Sequence, residues 1–205
     1  TLNQFTKGLN KKYFKNKLNI IHQSTNKKKI NFKRKKKIII FVGRLNKSKG
    51  YDLFGKAVIN ILNRFPDWKA IAIGDEPREK IIFNHKRLKT LGFKNNNIVT
   101  NWFKKSDISV VCSRIDEPFG RTALEASSAG CAVIISNKGG LPEASSSAIK
   151  IKNLSIRNLQ KEIEKIINNE KYKKDLQKKI YKNFKLTNEL AAKKIDEYRI
   201  KIIKT

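Results

Sequence analysis

The run IIIFVG at residues 38–43 constrains the fold of this chain more than any other segment. Five consecutive apolar side chains leave no polar face for water. The segment therefore reads as a strand buried on both sides, and such strands belong to parallel sheets covered by helices. The next segment, YDLFGKAVINILNRFP, sets Phe54, Ala57, Val58, Ile61, Leu62 and Phe65 at helical spacing and stops at Pro66, giving an amphipathic helix with a defined end. WKAIAIG then reads as a second strand, EKIIFNHKRLKTLG as a helix ending at Gly92, and NNIVTN as a third strand. ISVVCS reads as a fourth strand, FGRTALEASSAG as a helix, AVIIS as a fifth strand and AIKIK as a sixth. This alternation predicts an α/β fold, a doubly wound, mostly parallel, Rossmann-like sheet.

The flanks differ in character. Residues 1–37 scatter Leu2, Phe5, Leu9, Phe14, Leu18, Ile20 and Ile21 between lysines, which fits a helix, a short strand at LNII and a basic linker. After Asn153, one apolar stripe (Leu159, Ile163, Ile166, Ile167) and another (Leu186, Leu190, Ile195, Tyr198, Ile202) predict C-terminal packing helices. No internal repeat and no Pro/Gly/Ser linker marks a second full domain in the 205 residues. No apolar run approaches the roughly 20 residues that a spanning helix needs. The absence of methionine and of an apolar leader at Thr1 reads as a fragment or excised domain.

Composition narrows the chemistry. Cys112 and Cys131 sit in the apolar contexts VVCS and AGCAV with no ligand spacing around them, so two buried, reduced thiols of a cytosolic protein are expected and no metal site. His22 and His85 are isolated in polar surroundings and read as solvated or structural. The net charge of +30 attracts polyanions and concentrates in KKK at 27–29 and KRKKK at 33–37. Lysine outnumbers arginine about four to one, and Ile and Asn are abundant too, so a compositional bias accounts for most of this charge. A contribution to binding anionic membrane surfaces or lipid phosphates stays open.

Three constellations carry chemistry. In FVGRLNKSKG a buried strand runs through Gly43 into a turn with Arg44, Lys47 and Lys49, then a helix; cations at a strand carboxyl end beside a helix N-terminus form a diphosphate site. The spacing is neither GxxxxGK[ST] nor GxGxxG, so ATPase and dinucleotide oxidoreductase readings find no support. In EPFGRTALEASSAG, Glu117 precedes the turn Pro118–Phe119–Gly120, and the free N–H groups of the following helix face the same cleft. Glu125 follows about two turns later, on the order of 10 Å along the axis, which suits one extended ligand touched at two points. In SNKGGLPEA, a Gly-Gly turn precedes Pro142 and Glu143, where a tight connection is the commoner reason and backbone approach to a ligand the rarer one. Each motif alone also reads as an ordinary turn or solvated helix carboxylate, but all three fall at strand carboxyl ends of one sheet.

In this order over residues 38–150, GRL…KG, EPFG with EA eight residues after the first Glu, AGCAVIIS and GGLPE resemble the C-terminal, donor-binding domain of the family 4 retaining glycosyltransferases of the GT-B fold. The resemblance implies that Arg44 and Lys49 bind the diphosphate, that Glu117 lies near the donor sugar and its phosphate, and that the backbone of Phe119, Gly120, Arg121 and Thr122 contacts sugar hydroxyls and phosphate. It implies that Glu125 accepts hydrogen bonds from the ribose. It further implies transfer from a UDP- or GDP-sugar to a saccharide or lipid-linked acceptor of cell-envelope polysaccharide synthesis, without metal or other cofactor, in the cytoplasm or at the inner face of the membrane. On this reading residues 1–37 end the amino-terminal domain and linker, 38–185 bind the nucleotide-sugar, and 186–205 return to the amino-terminal domain, without which no transfer is expected.

One departure from the family pattern stands out. Only WFKKSD separates VTN from ISVVCS, whereas a 3-2-1-4 strand order needs a path of about 22 Å and a crossover of about a dozen residues. The third strand is therefore expected to be displaced or absent, which keeps a non-catalytic nucleotide-sugar-binding or scaffold module as an alternative. A basic nucleic-acid-binding protein is a further alternative, but it lacks interleaved aromatics on a basic face.

Overall fold

The computed structural model describes residues 12, 13 and 18–203. Of the expectations for the flanks, the helix through Leu2, Phe5, Leu9 and Phe14 lies outside the described residues. Residues 18–21 form no strand; they belong to an irregular segment that lies along the domain, with Thr25 N–H bonded to the Leu186 carbonyl and Lys28 N–H to that of Ser128.

Six strands form one sheet: β1 (Lys36–Val42), β2 (Lys69–Ile73), β3 (Leu88–Thr90), β4 (Ser106–Val111), β5 (Ala132–Ser136) and β6 (Ile149–Ile151). The order is β3-β2-β1-β4-β5-β6 and every pair is parallel, so the predicted doubly wound sheet is the fold. Ile40 of β1 stands between Ile71 of β2 and Ser109 of β4. All residues of β4 and β5 are buried, the polar Ser106, Asp107 and Ser109 of β4 included, because the sheet is covered on both faces. The helices are α1 (Tyr51–Arg64), α2 (Asn96–Lys105), α3 (Arg121–Ser128), the single turn α4 (Leu141–Ala144), α5 (Ile156–Ile167), α6 (Glu170–Lys182) and α7 (Asn188–Ile203). α1 packs with α5, and α2 with α3. Right-handed crossovers put the two pairs on opposite faces of a sheet whose order reverses between β1 and β4.

Two expectations are overturned, and they are linked. The segment NNIVTN is the beginning of α2: the Asn95 carboxamide accepts the Ile98 N–H at 3.0 Å as an N-cap, and Val99 and Phe103, four residues apart, bury one helix face. At its other end the Lys35 ammonium donates to the carbonyls of Phe103 (3.2 Å) and Ser106 (2.8 Å), a cation placed at the negative end of the helix dipole. The segment EKIIFNHKRLKTLG contains no helix. Ile81 and Phe83 pack inward while Ile82 between them is 84% exposed, an alternation of period two, and the Phe83 ring meets Tyr51 edge-on at 5.4 Å. The Arg87 guanidinium then donates to the Leu62, Phe65 and Trp68 carbonyls, tying the chain to the end of α1 as it enters β3. The third strand is thus present as Leu88–Thr90, and residues 91–105, including α2, make the crossover to β4. The gap that argued for a missing strand does not exist.

Beyond the sheet, α5 buries Leu159, Ile163 and Ile166 as its stripe predicts. α6, which sequence periodicity did not single out, buries Leu176 and Ile180, and it brings Lys173 and Gln177 onto the buried carboxylate of Asp107 at the start of β4. α7 buries no residue, and Leu190, Ile195, Ile200, Ile202 and Ile203 are exposed on it. Among the described residues no helix is long and apolar enough to cross a membrane.

Candidate functional site

The three motifs converge at the carboxyl ends of β1, β4 and β5. β1 ends at Val42, and the turn that follows is held by its own side chains: Asn46 Oδ1 accepts the Lys49 N–H at 3.0 Å while Asn46 Nδ2 donates to Glu76 at 3.0 Å. The loop after β4 is stitched to this turn. Arg114 N–H donates to the Ser48 carbonyl at 2.8 Å, and the Arg114 guanidinium forks onto Asp52 in the first turn of α1 at 2.5 and 2.7 Å. That bidentate pair holds the Asp52 carboxyl below the usual carboxylate range. The loop after β5 closes the third side: Gly140 N–H donates to the Glu117 carbonyl at 2.7 Å and Gly139 N–H to the Asp116 carboxylate at 2.9 Å.

The paired glycines have a protein partner. A Cβ at Gly139 would stand 2.3 Å from the Glu117 carbonyl oxygen, and one at Gly140 would stand 2.6 Å from Phe119 Cα. Gly139 also has φ +50°, a left-handed conformation that costs other residues energy. The Gly-Gly turn is the brace that shapes the EPFG loop.

Between these loops lies a cleft of about 340 Å³, lined by Val42, Gly43, Lys49, Ser113, Glu117 and the run Pro118–Thr122 among others. Lys49 Nζ donates to Glu117 Oε1 at 2.6 Å, with the two side chains only 22% and 11% exposed. A partly desolvated pair of this length orients the ammonium into the cleft. Gly120 starts α3 without a side-chain cap, so the first-turn N–H groups and the positive end of the helix dipole are available to an anion there. Phe119 is buried beneath the loop, and Thr122 and Arg121 line the rim.

Two predicted residues stand apart from the cleft wall. Arg44 is exposed in the turn after Gly43 and makes no ion pair among the described residues. Glu125 lies a turn further along α3, 17% exposed, where it accepts from Arg121 at 3.2 Å. Glu117 and Glu125 thus serve different neighbourhoods, one beside Lys49 and the other on the outer part of α3.

The structure adds a residue whose role the sequence concealed. His22, expected to be solvated or structural, is a structural partner beside the cleft: its Nε2 lies 3.0 Å from Glu143 Oε2 and its ring 5.5 Å from that of Phe119, while neighbouring Gln23 lines the cleft. No local signal marks it, because its partners lie about a hundred residues away. His85, by contrast, lies away from the cleft, where its Nε2 meets Asn63 at 3.1 Å and its Nδ1 accepts the Arg87 N–H at 3.1 Å. Both thiols are buried. Burial pushes Cys112 up to about 12, and Cys131 is shifted in the same direction for the same reason. Among the described residues no three His, Cys, Asp or Glu side chains gather as metal ligands.

Comparison with known proteins identifies the family and the fold. The family profile described as glycosyl transferases group 1 matches residues 22–183. An uncharacterized glycosyltransferase of Methanocaldococcus jannaschii is 37% identical over 128 residues, 56% of this chain and 32% of that protein. Spore coat protein SA of Bacillus subtilis is 36% identical over 121 residues, 53% of this chain and 32% of that protein. The chain therefore aligns with about a third of the length of these relatives. Among solved structures, the C-terminal domain of a group 1 glycosyl transferase from Francisella tularensis superposes with a TM-score of 0.62 at 28% identity, over 73% of this chain and 85% of that one. The pneumococcal O-GlcNAc transferase solved with UDP and GlcNAc shares the fold, with a TM-score of 0.75 at 19% identity over 96% of this chain and 42% of that one. With four-fifths of its length matched and its loops assembled into one cleft, the chain belongs to the glycosyl transferases group 1 family.

Proposed function

We propose that this chain is the donor-binding half of a family 4 retaining glycosyltransferase and that the cleft between β1, β4 and β5 receives the diphosphate and sugar of a UDP- or GDP-sugar. The observation that carries the reading is the convergence on one cleft of Lys49, the Glu117 carboxylate 2.6 Å from it, and the uncapped N-terminus of α3. In transfer, the bond from the anomeric carbon to the β-phosphate oxygen breaks and the nucleoside diphosphate leaves with the bonding pair. The acceptor oxygen bonds to the anomeric carbon on the same face and gives its proton to the departing phosphate oxygen. Negative charge develops on the departing phosphate, where Lys49, Arg44 swinging in from the adjoining turn, and the α3 N–H groups stabilise it in place of a metal ion. Glu117 holds Lys49 in position and meets the donor sugar, the backbone of Phe119–Thr122 meets sugar hydroxyls and phosphate, and Glu125 exchanges Arg121 for the ribose hydroxyls.

The acceptor, a saccharide or a lipid-linked saccharide, is bound by a further domain, so this half binds nucleotide without transferring sugar. Its place is the cytoplasm, in peripheral contact with an anionic membrane surface. A non-catalytic module loses its motive, since the crossover that looked too short is of ordinary length. Calorimetric titration with UDP and GDP tests the reading. Saturable binding of one nucleotide, weakened by Glu125→Ala by about 1–3 kcal/mol, supports it; silence with both nucleotides at millimolar concentration refutes it.

A further inference from the structure

The charge of this protein is segregated along the strand direction. Carboxylates gather in the segments that follow the strands, among them Asp75, Glu76, Glu79, Asp116 and Glu117 in loops and Glu143 in α4. The opposite end, where the strands begin, is nearly free of them. Three adjoining open grooves there, of about 980, 800 and 530 Å³, are lined by thirteen lysines and arginines against three carboxylates. All three carboxylates are consumed internally: Asp67 by Lys37, Asp107 by Lys173, and Glu170 by Lys173 and Lys174. Lys33, Arg34, Lys36, Lys69, Lys105 and Lys178 are exposed around the grooves. A lysine-rich composition spreads cations everywhere; it does not clear carboxylates from one end of a sheet. The asymmetry is a property of the fold and marks a surface for anions.

We propose that this face, formed by the 29–37 segment, the start of β2 and the end of α2, docks on an anionic phospholipid membrane. This names the surface for the membrane contact suggested above and does not rest on the donor reading. Twelve of the thirteen cations are lysines, point charges that suit a fluid array of headgroups better than bidentate recognition of fixed phosphates. Two aromatic rings line the grooves among the described residues, and each has a partner within the protein. Phe32 meets Tyr181 edge-on at 5.8 Å and the Lys105 ammonium lies over Trp102 at 5.9 Å, so these rings are engaged within the protein instead of forming a row of exposed platforms for successive bases. Because the donor cleft opens at the other end of the strands, membrane contact and nucleotide binding are independent.

Co-sedimentation of the full chain with vesicles tests this. Vesicles of phosphatidylcholine and phosphatidylglycerol bind the protein at physiological ionic strength, and vesicles of phosphatidylcholine alone do not. Replacing Lys33, Arg34, Lys36 and Lys105 by alanine weakens binding by more than about 100-fold, at about fivefold per cation. Replacing the exposed Lys56, Lys161, Lys193 and Lys194, an equal charge taken from α1, α5 and α7, weakens it by less than about tenfold. Saturating UDP and the Lys49→Ala variant leave vesicle binding unchanged, which separates failure here from failure at the cleft. The proposal is overturned if both quadruple variants lose the same affinity, if anionic vesicles do not bind, or if a single-stranded RNA competes the vesicles away at equimolar phosphate.

Discussion

Replacing Gly139, Gly140 and Gly92 one at a time by alanine tests how the site is built. At Gly139 the added methyl meets two costs: φ of +50°, worth about 1–2 kcal/mol for a residue with a Cβ, and an overlap with Glu117 backbone at 2.3 Å, worth about 1–3 kcal/mol when a packed loop must shift. Gly140 has φ −83°, so only the overlap with the Pro118–Phe119 backbone at 2.6 Å applies there. Gly92 has φ +67° and nothing within 4 Å of its added Cβ, so only the conformational term applies. Alanine also stiffens the unfolded chain, which returns about 0.5–1 kcal/mol in each case. The expected losses are about 3 kcal/mol for Gly139→Ala and about 1 kcal/mol each for Gly140→Ala and Gly92→Ala. Urea midpoints should separate the first from the third by about 1 M. Nucleotide titration separates the other pair, because Gly140→Ala displaces the EPFG loop and loses affinity, while Gly92→Ala, outside the cleft lining and with nothing for its added Cβ to displace, does not. Equal midpoints for Gly139→Ala and Gly92→Ala, or unchanged nucleotide affinity in Gly140→Ala, would refute the view that the Gly-Gly turn shapes this loop.

Other outcomes follow from the same structure. Phe103→Ala, which empties a fully buried position on α2, should cost about 3–5 kcal/mol in urea denaturation, and a loss below about 1 kcal/mol would contradict the assignment of this segment to a core helix. The Asp52 carboxyl is depressed by Arg114, so its stabilising contribution is complete above the unfolded value near pH 4 and drains away as pH falls through the lower folded value. Asp52→Asn should therefore flatten part of the acid limb of a stability–pH profile, and an unchanged profile would sink the assignment. Neither thiol should react with a disulfide reagent at neutral pH until denaturant is added, since burial pushes Cys112 up to about 12 and shifts Cys131 upward too; rapid labelling of the native protein would contradict the burial.

The parts of this architecture that were legible in sequence are those whose partners are local or whose burial is total. IIIFV, AIAI and AVII are continuous apolar runs, and ISVV is one interrupted only by Ser109, because they are covered on both faces, and the three loop motifs lie directly after strands. β3 was hidden because it is a three-residue edge strand with only Leu88 buried. α2 was misread because Ile98, Val99 and Thr100 are β-branched and imitate a strand, although the Asn95 cap and the Val99–Phe103 spacing were there to be seen. One misassignment produced the other: with NNIVTN placed in the sheet, the crossover had to look too short. The placement of His22 against Glu143 and Phe119, and of Gln23 in the cleft lining, was not legible at all, since it depends on the linker folding back onto residues about a hundred positions away.

The central claim is that the cleft formed by Lys49, Glu117 and the start of α3 binds the nucleotide part of a sugar donor. Titration calorimetry of the folded chain with UDP and GDP, repeated with Lys49→Ala, tests it most directly. The account predicts saturable binding of one nucleotide and a loss of about 1.5–3 kcal/mol on removing the ammonium that faces the diphosphate. Heat-silent titrations with both nucleotides, or an affinity that survives Lys49→Ala intact, would contradict it.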